Sequence, residues 1–283
     1  MADPFLLIDG VRVPRFLYGT AWKEADTERL TTLALRQGFR GIDTANQRRH
    51  YDEAAVGRAV QAAIAAGVVA RADLFLQTKF TFRPGQDHRL PYDPNAPIAT
   101  QVEQSFASSL EHLGTDVLDS YVLHGPSRSD GLAAADREAW RAMEAIHAAG
   151  RARLLGISNV SLGQLEALCA GARVRPRFVQ NRCYASRGWD RVVRAFCAAR
   201  GLVFQGFSLL TANRQVLAHP DLARIAARHG RSPAQVVFRF ALEVGMLPLT
   251  GTTSADHMRA DLDVFGFQLA ADEAERIDRL GGG

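Results

Sequence analysis

Cysteine is scarce in this 283-residue chain, which contains only Cys169, Cys183 and Cys197. Their number is odd and none of them belongs to a CxxC pair. This pattern argues against a disulfide scaffold and offers no zinc-binding spacing. We therefore expect free thiols, as in proteins of a reducing compartment.

Lysine is also scarce, because the 34 Lys and Arg residues include only Lys23 and Lys79. The net charge of +4 is spread along the chain without a dense basic run. Neither a nucleic acid nor a membrane surface is therefore expected as a partner. In a chain that prefers Arg so strongly, a Lys inside an apolar strand indicates chemistry that requires a shifted pKa or a lost proton, which Arg does not provide.

Long apolar runs and targeting signals are missing as well. No apolar stretch approaches about 18 residues, the length of a membrane-spanning helix. Residues 1–4 have neither the basic region nor the apolar region of a signal peptide. No GxGxxG motif follows a predicted strand, so the Rossmann fold has no support. We expect a soluble cytoplasmic protein with no evident obligate protein partner.

Strand-like apolar stretches alternate with helical stretches along the chain, which is typical of a parallel α/β fold. Asp9-Gly10 between two short apolar runs predicts a β-hairpin over residues 5–13. Eight βα alternations follow, with no linker or repeat between them. We predict a (β/α)8 TIM barrel as a single domain over residues 1–283, with the N-terminal hairpin closing its bottom. The predicted barrel strands cover residues 16–20, 41–45, 74–80, 117–125, 154–159, 178–183, 202–210 and 246–250.

Four polar residues fall at or near the predicted C-terminal ends of neighbouring strands, the edge where such barrels carry their active sites. They are Asp43, Tyr51 just before the next helix, Lys79 and His124. Singly, each has a structural interpretation: a helix cap, a helix staple, an ion-pair partner or a hydrogen-bonded core histidine. Their convergence on one rim predicts a site for proton transfer.

Tyr51 is the candidate acid of that site, and a phenol with an ordinary pKa of about 10 needs help to release its proton at neutral pH. A nearby Lys79 ammonium favours the phenolate and is expected to lower that pKa. Asp43 is expected to pair with Lys79 and orient it. His124 is expected to hold the substrate oxygen or to assist the proton transfer.

Seven short motifs, spread over essentially the whole chain, resemble the aldo-keto reductase family. The resemblance implies an NAD(P)H-dependent reductase of aldehydes or ketones with a Tyr, Lys, Asp and His tetrad. The small-molecule carbonyl compound would be its substrate. The motifs are residues 18–22 (YGTAW), 41–45 (GIDTA), 78–79 (TK), 123–124 (LH), 156–159 (GISN), 179–181 (VQN) and 206–208 (GFS).

The same resemblance implies a set of residues around the cofactor. Ser158, Asn159 and Gln180 would hold the nicotinamide carboxamide, and the Phe207 ring would stack on the nicotinamide. Trp22 would form a wall of the substrate pocket. The remaining cofactor contacts implied are Gly19, Thr20, Ser208, Leu210, Thr252, Ser254, His257 and Asp261.

Two departures from the family pattern affect the assignment of the acid and the cofactor preference. The family's Tyr usually follows the Asp by five residues, where this chain has Arg48, so Tyr51 is taken as the acid. The family usually also places Lys or Arg just after the eighth strand, whereas residues 250–257 supply only His257, with Arg259 further along. NADP(H) is therefore favoured with a weakened preference, and NAD(H) is possible.

The chain ends soon after its last predicted helix, and related enzymes often cover the substrate with a longer tail. We therefore expect an open pocket with a loose preference among aldehydes and ketones. Two alternatives to a reductase remain at this point. One is a cofactor-binding sensor with little turnover, and the other is an unrelated barrel lyase with a Schiff base on Lys79.

Overall fold

The computed structural model describes residues 3–281, and it begins with an antiparallel hairpin. Strands β1 (Phe5–Ile8) and β2 (Val11–Pro14) are joined by Asp9 and Gly10. Both turn residues have positive φ angles, 47° and 78°, as a two-residue turn matched to the twist of its strands requires.

Eight parallel strands then close into a barrel, in the order β10-β3-β4-β5-β6-β7-β8-β9. The predicted (β/α)8 barrel is thus confirmed. The strands are β3 (Leu17–Gly19), β4 (Gly41–Asp43), β5 (Phe75–Phe80), β6 (Leu118–Leu123), β7 (Ala152–Ser158), β8 (Phe178–Arg182), β9 (Val203–Phe207) and β10 (Met246–Thr250).

Helices connect these strands and surround the barrel. Short 3-10 turns lie at Glu24–Asp26, Arg71–Asp73, Arg83–Gly85, Ala185–Asp190 and Asp263–Gly266. The α-helices are α1 (Thr27–Gln37), α2 (Glu53–Ala65), α3 (Ile98–Leu113), α4 (Ala134–Ala148), α5 (Leu162–Gly171), α6 (Arg191–Ala199), α7 (Arg214–Leu217), α8 (Pro220–His229), α9 (Pro233–Glu243), α10 (Ala255–Leu262) and α11 (Ala271–Arg279).

Local sequence signals explain several element ends. Ser161 with Gln164, and Ser232 with Gln235, form capping boxes at the starts of α5 and α9. Gly38 ends α1 with φ 108°, a conformation that costs glycine little. The predicted strand over residues 202–210 ends early, at Phe207, because Ser208 adopts a left-handed φ of 57°.

The hairpin packs against the N-terminal ends of the barrel strands. Val11 and Val13 belong to a buried cluster with Phe75, Phe178 and Leu247, which lie at or next to the starts of their strands. The hairpin therefore closes the bottom of the barrel, as predicted, and the opposite rim is left for a site. Within residues 3–281, no helix is both long and apolar enough to cross a lipid bilayer.

Candidate active site

Asp43 and Lys79 form a buried ion pair at the open rim of the barrel. Asp43 is the last residue of β4, and Lys79 lies near the end of the neighbouring strand β5. The Lys79 Nζ atom lies 2.7 Å from each Asp43 carboxylate oxygen and donates a third hydrogen bond of 2.7 Å to the Thr44 carbonyl. Burial lowers the pKa of Lys79, and the Asp43 charge opposes that shift. The expected Asp–Lys pairing is present.

Tyr51 lies against this pair on the side of the cleft. Its ring centroid is 5.3 Å from Lys79 Nζ and 5.9 Å from the His124 ring, which it meets edge to face. Burial, followed by the negative charge of Asp43, raises the pKa of Tyr51. The pKa of Tyr51 is therefore raised and not lowered as expected, because burial favours the neutral phenol and the Asp43 charge opposes that of Lys79.

Arg48, at the position where the tyrosine is usually found, turns away from the site. Its Nη1 atom pairs with Asp52 at 3.1 Å, and its carbonyl accepts a hydrogen bond from Arg89. Tyr51 lines the cleft and Arg48 is not among the lining residues. The longer loop thus presents Tyr51 beside Lys79 three positions later in the sequence.

His124 directly follows β6 and also faces the cleft. Its Nδ1 atom lies 2.6 Å from the Thr81 hydroxyl. Burial, with the nearby Lys79 charge as the next cause, lowers the pKa of His124 to about 3. The imidazole is therefore neutral at pH 7, and if the Thr81 hydroxyl donates to Nδ1, the proton resides on Nε2.

A cleft of about 1780 Å³ runs along the rim and brings most of the predicted residues together. Three do not line it: Thr20 is buried, Lys79 lies behind Asp43, and Ser254 caps α10. The predicted residues that do line the cleft are Gly19, Trp22, Asp43, Tyr51, His124, Ser158, Asn159, Gln180, Phe207, Ser208, Leu210, Thr252, His257 and Asp261.

The wall beside Tyr51 is formed by strand ends held in fixed positions. Ser158 donates a 2.6 Å hydrogen bond to the Gln180 carbonyl, and Asn159 Nδ2 donates to the His124 carbonyl at 2.8 Å. Asn159 and Ser208 both have left-handed φ angles, 51° and 57°. Such conformations in non-glycine residues carry strain and are found preferentially at functional sites.

The far end of the cleft lies at the N-terminus of α10. His257 Nδ1 lies 3.4 Å from the Thr252 hydroxyl, and burial raises the pKa of Asp261 to about 6. Arg259 does not line the cleft, and it pairs with Asp256 and contacts Gln37 on α1.

Lys23 does not line the cleft but contacts a residue that does, and sequence reasoning missed this contact. Its ammonium donates a hydrogen bond to the carbonyl of Gly251, immediately after β10. Burial lowers its pKa. Its position just after Trp22, next to the YGTAW motif, was the only sequence signal, and the contact with residue 251 is created by the closure of the barrel between β3 and β10.

Trp22 forms a largely exposed wall of the cleft. Its φ is 60° and its side chain is 67% exposed. The indole stacks on the His50 ring at a centroid distance of 3.9 Å, and both residues line the cleft. His50 belongs to the lengthened loop before Tyr51, so that loop contributes to the pocket wall as well as supplying the tyrosine.

Two buried amides, Gln77 and Gln205, were missed by sequence reasoning. Each stands two residues before a predicted site residue, Lys79 and Phe207 respectively, and so points to the same face of its strand. Gln77 Nε2 donates to Asp43 at 2.7 Å and to Gln205 at 2.8 Å. Polar residues at inward positions of otherwise apolar strands were the available signal.

Comparison with known proteins gives a consistent result. Residues 17–281 match the family model described as the aldo/keto reductase family. The chain is 30% identical to the uncharacterized oxidoreductase YtbE of Bacillus subtilis, covering 97% of this chain and 91% of that protein. It is 27% identical to the glyoxal reductase of the same organism, covering 99% and 93%. The aldo-keto reductase of Bombyx mori, solved in complex with NADP, superposes with a TM-score of 0.83 at 24% identity, covering 99% of this chain and 93% of that one.

Proposed function

Because this chain belongs to the aldo/keto reductase family, we propose that it reduces aldehydes or ketones to alcohols with NADPH. The observation that carries the proposal is the convergence of Tyr51, His124 and the buried Asp43–Lys79 pair on one large cleft. A cytoplasmic location and action without an obligate protein partner are part of the proposal. So is a single-domain organisation.

The cleft fits a dinucleotide in size and in chemistry. Its volume of about 1780 Å³ exceeds the roughly 300–1,000 Å³ of pockets for drug-sized ligands. Hydroxyl and amide groups of Ser158, Asn159 and Gln180 line one end, where a carboxamide would be held. The other end offers Thr252, His257 and the N-terminal N–H groups of α10, which favour an anion. The Bombyx mori protein of the same fold binds NADP, so NADP(H) is the first cofactor to test.

When bound, the reduced nicotinamide supplies the hydride that reaches the carbonyl carbon. Tyr51 donates its proton to the carbonyl oxygen. Its raised pKa keeps the phenol protonated at neutral pH, and Lys79, with Nζ 5.3 Å from the ring, stabilises the phenolate left behind. Asp43 holds Lys79 in place and charged.

His124 orients the substrate oxygen as a neutral hydrogen-bond donor. With the Thr81 hydroxyl donating to Nδ1, Nε2–H is available to the cleft. Trp22 and His50 line the cleft on the substrate side, and Trp22 is largely exposed. This open arrangement favours a broad range of small carbonyl substrates.

The test is NADPH oxidation against a panel of aldehydes and ketones that includes glyoxal, because one relative carries that activity in its name. We expect turnover of several small aldehydes. Tight NADPH binding without turnover of any carbonyl would contradict reduction and favour a cofactor-binding sensor. Failure to bind either nicotinamide cofactor would contradict the whole proposal.

A further inference from the structure

Three buried glutamines connect the Asp43 carboxylate to the wall of the cleft. Gln77 on β5 pairs in register with Asp43 on β4, and Gln205 on β9 pairs in register with Gln180 on β8. Gln77 and Gln205 are 0% exposed and Gln180 is 3% exposed. Strands β5 and β9 are not neighbours, so Gln77 and Gln205 meet across the interior of the barrel.

The ionised carboxylate sets the orientation of the first two amides. A carboxylate oxygen only accepts hydrogen bonds, so an amide that contacts it must present nitrogen. Gln77 Nε2 lies 2.7 Å and Gln180 Nε2 lies 3.0 Å from the same oxygen, Asp43 Oδ1. Lys79 donates to that oxygen as well. Three donors therefore converge on one carboxylate oxygen.

Gln205 completes the arrangement. Its Oε1 atom accepts from Gln77 Nε2 at 2.8 Å and from Gln180 Nε2 at 2.9 Å. Its Nε2 atom donates to Gln77 Oε1 at 3.1 Å. Gln180 Nε2 thus has a partner for each of its two N–H groups. Gln180 lines the cleft, and its Oε1 atom accepts no hydrogen bond from residues 3–281, so this atom is left for a ligand.

We propose that Gln205 is a positioning residue, which together with Asp43 holds the Gln180 amide so that its oxygen rather than its nitrogen faces the cleft. This inference rests on the proposed function, because the ligand group that Gln180 would meet is the nicotinamide carboxamide. With its oxygen fixed toward the cleft, Gln180 accepts a hydrogen bond from a carboxamide N–H. It therefore selects against a pyridine ring whose substituent has no N–H.

The test compares the binding of NADP⁺ and of its 3-acetylpyridine analogue, whose methyl ketone has no N–H. Dissociation constants are measured by titration without a carbonyl substrate. The wild type should bind NADP⁺ more tightly by about 2- to 10-fold, the range of one neutral hydrogen bond. In Gln205→Met the Gln180 amide keeps only its 3.0 Å contact with Asp43 Oδ1. Its oxygen is then held less firmly toward the cleft, so the ratio of the two constants should fall below the wild-type ratio.

Two further variants separate positioning from general loss of packing. Gln101→Met removes another buried amide, which donates to the Ala96 carbonyl at 2.8 Å and does not line the cleft. It should lower the thermal stability and keep the wild-type ratio. Gln77→Met removes one of the two partners of Gln205 and should lower the ratio partly. It supplies the answer if Gln205→Met does not fold.

Each outcome is decisive. A wild-type ratio in both Gln205→Met and Gln77→Met, with only stability reduced, would overturn the positioning role and leave the proposed function intact. Equal dissociation constants for the two compounds in the wild type would also overturn the positioning role and leave the proposed function intact. A wild type that binds neither compound would overturn the proposed function and this inference with it.

Discussion

At the scale of single residues, the Tyr51 hydroxyl can be removed while the packed ring of the side chain is kept. Tyr51→Phe keeps the ring that packs against His124 and Lys79. Since general acid catalysis contributes about 10²- to 10⁴-fold, carbonyl reduction should fall by that factor while the Kd for NADPH stays unchanged. Steady-state rates and cofactor titration measure both. Tyr184→Phe, at another tyrosine of the cleft, is the control and should retain activity. Turnover within a few-fold of wild type in Tyr51→Phe would place the acid elsewhere.

The loss of Lys79 should affect the stability of the fold, the activity and its pH dependence. Lys79→Met leaves the Asp43 carboxylate buried without its cation, and breaking such a pair costs roughly 3–5 kcal/mol of stability. Activity should fall nearly as far as in Tyr51→Phe. The limits of the pH–rate profile should also move, because the phenolate loses its neighbouring charge. Unchanged limits in a folded variant would show that Lys79 does not tune the acid.

At the scale of elements, we expect the N-terminus of α10 to set the cofactor preference. Its hydroxyls and N–H groups can bind a 2′-phosphate, but Arg259 is engaged by Asp256, and strong NADPH selection normally uses a direct Arg or Lys contact. We expect NADPH to be preferred over NADH, with a weaker preference than such a contact gives. If His257 contributes as a cation, the preference for NADPH is larger at lower pH.

This expectation is measured as the ratio of the two dissociation constants at pH 6 and pH 8, in wild type and in His257→Ala. Burial raises the pKa of Asp261 to about 6, so Asp261 also titrates in this range. The His257→Ala variant keeps Asp261, so only the part of the pH dependence that this variant loses is assigned to His257. A large preference for NADPH that is equal at pH 6 and pH 8 would indicate a contact from Lys23, which donates to the adjoining Gly251 carbonyl. Lys23→Met would then abolish it.

At the scale of the whole molecule, the neutral His124 makes the fold sensitive to acid. Burial lowers its pKa to about 3, whereas a histidine in the unfolded chain titrates near its ordinary pKa of 6.5. Between pH 6.5 and 3 the unfolded state therefore binds one more proton, and the free energy of unfolding falls as pH falls. Each such proton contributes up to about 1.4 kcal/mol per pH unit. Urea unfolding at pH 7, 5 and 4 should show a shallower decline in His124→Asn than in wild type, and equal slopes would contradict this account.

Local signals in the sequence were sufficient for the architecture. Asp9-Gly10 determines a hairpin turn, capping boxes determine where α5 and α9 begin, and alternating apolar stretches determine the order of strands and helices. Asp43, Lys79 and His124 were recognisable because side chains at the C-terminal ends of parallel strands share one rim. These features depend on neighbouring residues or on a general rule of the fold, which explains why they could be read from the chain alone.

The closure of the barrel determined the long-range contacts and the pKa values that the sequence did not predict. It brings Lys23 to Gly251 and Gln77 to Gln205, pairs that are 228 and 128 residues apart in the chain and carry no local signal. It also reversed the expected pKa shift of Tyr51, because desolvation and the balance of charges depend on how closely Asp43 and Lys79 approach and on how much water is excluded. A sequence determines which groups are present. Their distances and burial, which set hydrogen bonds and pKa values, exist only once the strands have closed into the barrel.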